Sequence, residues 1–132
     1  MYANNQINII GEINDELYEK CLNAARDLKN PATKKVSFII NSPGGELSAA
    51  FAILDMIDEF KAKGFDVITL VSGRAHSAAS LISSSGTKRF ITKNSTLLIH
   101  KVRGSYDYMD TKELKTHLDN LLRDEKVFER IY

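Results

Sequence analysis

Three short runs rich in β-branched and apolar residues constrain this chain more than any other feature: Ile7-Asn8-Ile9-Ile10, Val36-Ser37-Phe38-Ile39-Ile40 and Val67-Ile68-Thr69-Leu70-Val71. The second and third are nearly continuous, as expected of strands buried in a parallel sheet. Each run is followed by a turn and then by residues at helical spacing. After the first, Gly11 closes the strand and Asn14 offers a cap. Asp15 and Glu16 suit the positive helix start, and Leu17, Cys21, Ala24 and Leu28 recur at helical intervals up to Asn30-Pro31. After the second, Leu47, Ala50, Phe51, Leu54 and Ile57 form one face of a helix over 47–63, with Gly64 as its stop. The third runs into Gly73-Arg74-Ala75-His76-Ser77 and then into a small-residue helix from Ala78 to about Ser85, ended by Gly86. Parallel strands require crossover connections, so this alternation predicts an α/β fold with a mainly parallel sheet and helices packed against it.

Two further short strands are expected around 89–91 and 96–99, on either side of a turn at Lys93-Asn94-Ser95, and His100 closes the second. A helix over about 111–132 carries the stripe Leu114, Leu118, Leu121, Phe128 and Tyr132, interrupted at Glu125. With no repeat, low-complexity tract or linker, the 132 residues read as a single domain, 1–132. Eighteen Lys and Arg against seventeen Asp and Glu leave a net charge of +1 with no basic stripe, which argues against a nucleic-acid partner. The one cysteine, Cys21, excludes an intrachain disulfide and suits a reducing compartment. The sequence has neither an apolar run of the ~18 residues needed to span a bilayer nor the layout of a signal peptide, so a cytoplasmic protein without a membrane partner is expected. No His/Cys/Asp grouping has metal-ligand spacing, and no cofactor is expected.

Ligand sites of open parallel sheets collect at the carboxyl ends of the strands. Here three consecutive strand ends deliver Gly44-Gly45, Ser77 and His100. A hydroxyl is a poor nucleophile at neutral pH. It needs a neighbouring base and donors aimed at the oxyanion that develops on the attacked carbonyl. Ser77 stands at a strand-to-helix turn, and the amide of Ala78, at the helix start, has no acceptor within the helix. Gly45 presents no side chain to block a substrate carbonyl, and its amide also lies near a helix start. Each feature has a plainer reading. Ser77 is one of several serines in a tightly packed helix, Pro43-Gly44 is a strong turn signal, and His100 fits an ordinary strand-end histidine. His76 reads as a structural or pocket-edge residue, and His117 as a helix residue without a catalytic part.

Asn41-Ser42-Pro43-Gly44-Gly45, Gly73-Arg74-Ala75-His76-Ser77-Ala78-Ala79 and Leu98-Ile99-His100 resemble, in order and spacing, the motifs of the Clp protease proteolytic subunit family, ClpP, and the likeness covers nearly the whole chain. The continuation Ser80-Leu81-Ile82 is most similar to ClpP-like proteases of bacteriophages. The resemblance implies a crotonase-like α/β fold and a serine endopeptidase. It assigns Ser77 as nucleophile, His100 as general base, and the amides of Gly45 and Ala78 as the oxyanion hole. It also implies that a peptide or unfolded-protein substrate is bound as an extended strand near Leu47 and Arg103. The last helix matches the family's handle, which joins rings face to face. Expected partners are copies of the chain in a ring or part of one, and a Clp ATPase or host ClpP subunits.

Three departures accompany the likeness. The family's catalytic aspartate lies beyond the handle, in a segment these residues lack, and none of Asp107, Asp110, Asp119 or Asp124 falls in a matching motif, so low activity is expected. Few residues precede Ile7, where the family carries the segment that touches its ATPase. His76 replaces the small residue usual before the nucleophile. Three rival readings differ in what they leave unexplained. A catalytically silent assembly or regulatory subunit would follow from the absent acid. A crotonase-type acyl-CoA enzyme leaves the pairing of Ser77 with His100 without a purpose, and a Ser/Lys dyad like that of signal peptide peptidase A leaves His100 unused.

Overall fold

The apolar runs pair side by side, and every pairing is parallel among the described residues. The structure, a computed structural model, describes residues 5–28 and 31–99. Strand β1 (Gln6–Ile10) lies beside β2 (Lys35–Ser42), which lies beside β3 (Asp66–His76). The far edge of β3 is shared by two short strands in line: β4 (Lys88–Ile91) runs along Ile68 to Val71, and β5 (Thr96–Leu98) along Arg74 to His76. The connections are α1 (Asp15–Arg26), α2 (Leu47–Ala62) and α3 (Ala78–Ser84), as parallel neighbours demand.

Side chains alternate across a strand, and the burial follows that period of two. Ile7 and Ile9, then Val36, Phe38 and Ile40, then Val67, Thr69, Val71 and Ala75 are all buried on one face. They pack with Leu17, Cys21, Ile53, Ile57, Leu81 and Ile82 from the helices. Buried Thr69 donates its hydroxyl to the Ser83 carbonyl at 2.7 Å, which ties α3 to this face without an unsatisfied polar group. The near-continuous apolar runs have a second cause as well. On the opposite face Ile39, Ile68, Leu70 and Phe90 line an apolar groove of about 460 Å³, with Ile91 at its border.

Asn14 caps α1 as its sequence implies, its side-chain oxygen accepting from the Leu17 amide at 2.9 Å. The helix stops at Arg26, ahead of the expected Asn30-Pro31 boundary, with the Asp27 amide bonded to the carbonyls of Asn23 and Ala24. In α2 the buried face is broader than the stripe through Leu47 and Phe51, which are only half-buried. Ala49, Ala50, Ile53, Leu54, Met56 and Ile57 are buried, because this helix packs against α1 and α3 as well as the sheet. The larger correction concerns residues 73–76, expected to follow the end of the third strand. They continue β3: the β2–β3 register shifts between Ile40 and Ser42, the Asn41 side chain sits against Gly73, and pairing resumes at Ser42 and Ala75. This bulge lengthens the strand to eleven residues and carries its end to His76. Among the described residues no helix is long and apolar enough to cross a membrane. The expected helix over 111–132 lies outside the described residues, as do His100 and Arg103.

Candidate active site

One residue separates the end of β3 from the start of α3, and it is Ser77. To turn a strand directly into a helix it takes φ 57° and ψ −124°, a combination outside the wells that side-chain-bearing residues normally occupy. Its surroundings hold it there. The Ser77 amide donates to the Leu98 carbonyl of β5 at 2.8 Å. Its carbonyl accepts from the Ser80 amide at 2.9 Å and from the Ser80 hydroxyl at 2.5 Å. Ala78 follows as the first residue of α3, so its amide has no acceptor inside the helix.

The loop after β2 is pressed against this turn. Gly44 has φ 98°, and a Cβ there would fall 2.6 Å from the His76 carbonyl oxygen, 2.8 Å from Ser77 Cβ and 3.3 Å from the Ala78 amide. Only a residue without a side chain permits that approach. The Ser42 hydroxyl accepts from the Gly44 amide at 3.1 Å and so shapes the loop. On the other flank, Ile13 donates its amide to the Gly44 carbonyl at 2.8 Å and accepts from the Glu46 amide at 2.9 Å. This bridge, parallel like the sheet, directs the Gly45 N–H away from Ile13. A Cβ on Gly45 would collide with the Ile13 carbonyl at 2.2 Å.

Of the residues singled out in the sequence, Ser77 and Ala78 are thus adjacent at the β3–α3 junction, and the Gly44-Gly45 loop packs on them. Leu47 opens α2 two residues past Gly45 and is half-buried. His76 directs its Nε2 to the Thr96 hydroxyl of β5 at 2.8 Å. His100 and Arg103 lie outside the described residues. Sequence reasoning missed two contributors, Ile13 and Leu98. Both act through backbone groups, which leave no mark on residue type. Gly44 carried a signal, the Pro43-Gly44 pair, but it pointed to a turn and not to contact with Ser77.

A profile of the Clp protease family matches residues 1–132. The chain belongs to the Clp protease family. Among bacterial members of the Clp protease family, the ATP-dependent Clp protease proteolytic subunit of Ligilactobacillus salivarius is 34% identical over 128 residues, covering 95% of this chain and 63% of the relative. The corresponding subunit of Lactococcus lactis subsp. cremoris is 36% identical over 102 residues, 75% of this chain and 50% of the relative. Proteolytic subunit 2 of Treponema denticola is 43% identical over 99 residues, 73% of this chain and 48% of the relative. The chain therefore spans from about half to just under two-thirds of the length of these relatives.

Proposed function

We propose that this chain is a serine endopeptidase subunit of the Clp type. The observation that carries the proposal is the backbone of Ser77, held at φ 57° and ψ −124° between β3 and α3 with Gly44 against it. An outlier of this kind costs about 1–3 kcal/mol and persists where the surrounding structure enforces it, commonly at a reacting residue. In the proposed reaction the Ser77 oxygen attacks the peptide carbonyl carbon while its proton passes to the His100 imidazole. The negative oxygen of the tetrahedral adduct is met by the amides of Gly45 and Ala78. Collapse expels the amine, which takes the proton back from His100, and water then hydrolyses the Ser77 ester by the same route. Leu47 and Arg103 flank the substrate, a peptide or unfolded protein in extended form.

The family supports assembly with further copies in a ring or part of one. Exposed Ile10, Phe90, Ile91, Leu97, Leu98 and Ile99 supply apolar surface for association. A Clp ATPase or host ClpP subunits would be further partners, in the cytoplasm. The 132 residues alone are expected to turn over slowly. None of Asp107, Asp110, Asp119 or Asp124 falls in the family's acid motif, and replacing the acid of such a triad by an amide costs about 10⁴-fold. A fluorophosphonate probe and a fluorogenic peptide, applied to this chain and to Ser77→Ala, test the reading. Labelling of Ser77 with weak turnover, both lost in Ser77→Ala, is expected. No labelling of the unaltered chain would overturn it in favour of a silent assembly subunit.

A further inference from the structure

Strand β5 presents a problem of register. It has three residues, all exposed, with Leu97 and Leu98 at 46% and 50%. A strand without a buried face is weakly fixed against sliding, and a slip of one residue moves it about 3.3 Å and turns every side chain to the other face. Yet β5 meets the Ser77 turn directly, through the Leu98 carbonyl that accepts from the Ser77 amide at 2.8 Å. His100 follows Leu98 by two residues in the chain. The height of β5 along β3 therefore sets the support of the Ser77 backbone.

Among the described residues, three side-chain hydrogen bonds hold β5 in place. At its entry, the Ser95 hydroxyl accepts from the Gly73 amide at 2.7 Å and reaches the Val71 carbonyl at 3.2 Å. Nearer the turn, His76 Nε2 meets Thr96 Oγ1 at 2.8 Å. In the ladder Thr96 stands opposite Arg74, and His76 opposite Leu98, so this bond crosses the β3–β5 seam on a diagonal. A diagonal bond has the right length in one register only.

We infer that His76 is a positioning residue for the peptidase site: its bond to Thr96 locks β5 onto β3 in the register that holds the Ser77 turn. The role rests on the peptidase reading of Ser77. His76→Ala and Thr96→Val each remove the bond, and His76→Gln places a carboxamide where the ring nitrogen was. In the full chain, each of the first two is expected to slow fluorophosphonate labelling of Ser77 about five- to tenfold, as loss of one hydrogen bond implies. Where peptide turnover is measurable, KM should move less than about twofold. The double variant should be no slower than the slower single one, and His76→Gln should recover most of the rate. Exchange of the Ser77 amide, followed by NMR, should quicken about tenfold in His76→Ala while the amides of Ile68 and Leu70 stay protected. Labelling and Ser77 exchange unchanged in His76→Ala would overturn this role alone. Failure of the unaltered chain to label at Ser77 would overturn the peptidase reading, and this role with it. Additive losses in the double variant would also refute the lock, since two residues acting through one bond cannot be lost twice.

Discussion

Replacing Ser77 by glycine should stabilise the protein relative to Ser77→Ala, reversing the usual order of those two residues. Both variants lack the hydroxyl, so the comparison isolates the Cβ at φ 57° and ψ −124°. Relief of strain at such a position contributes about 2 kcal/mol. Against it stand about 0.7 kcal/mol for the greater freedom of glycine in the unfolded chain and about 0.4 kcal/mol for a half-buried methyl group. A net advantage of about 1 kcal/mol for Ser77→Gly remains, or about 4 °C in Tm for a chain of this size. Urea unfolding followed by circular dichroism measures it. Protein concentration must be matched, because self-association adds to apparent stability by mass action. If Ser77→Ala proves as stable as Ser77→Gly or more so, the turn is not strained, and the observation on which the peptidase proposal rests is lost.

Two further perturbations probe the same architecture. Gly44→Ala places a methyl 2.6 Å from the His76 carbonyl oxygen at a φ of 98°, so a backbone must shift to admit it. A loss of about 3 kcal/mol or more is expected, read as a lower urea midpoint or a collapse in soluble yield, and an unchanged midpoint would contradict the close approach. Cys21 is 1% exposed, and burial pushes its thiol up from the ordinary 9.0 to about 11. In the unfolded chain the thiol ionises first, so its contribution to stability is complete below pH 9 and falls away as the pH rises towards 11. Cys21→Ala should flatten that part of the stability curve, and a disulfide reagent at pH 8 should react with Cys21 in urea but not in the native protein. Rapid native labelling would refute its burial.

Much of the scaffold was legible because it depends on properties that residues carry individually. Asn14 caps α1, the runs beginning at Val36 and Val67 form central strands, and their parallel pairing follows from the helices between them. What escaped depends on pairs. Gly73, Arg74 and His76 lie beyond the apolar run that marks the strand, and only the bulge between Ile40 and Ser42 makes them part of it. Serine has no preference for a positive φ, so the conformation of Ser77 could be inferred only from its place between strand and helix. The stripe of α2 broadened because three neighbours share it, while periodicity assumes one. At the site itself, the sequence pointed to Ser77, Ala78 and the Gly44-Gly45 loop, and the structure adds the clamps Ile13 and Leu98. The expected positions of His100, Arg103 and the final helix fall outside the described residues.

The Gly44-Gly45 loop is gripped from two directions, by Ile13 upstream in the chain and by the residues around Ser77 downstream. Neither contact is local, and closing such distant contacts is slow and costly in chain entropy. The loop takes its final path only when both flanks have arrived. A half-folded chain lacking either flank would not hold the Gly44-Gly45 loop against the turn, and a degradative activity built here would wait on both contacts.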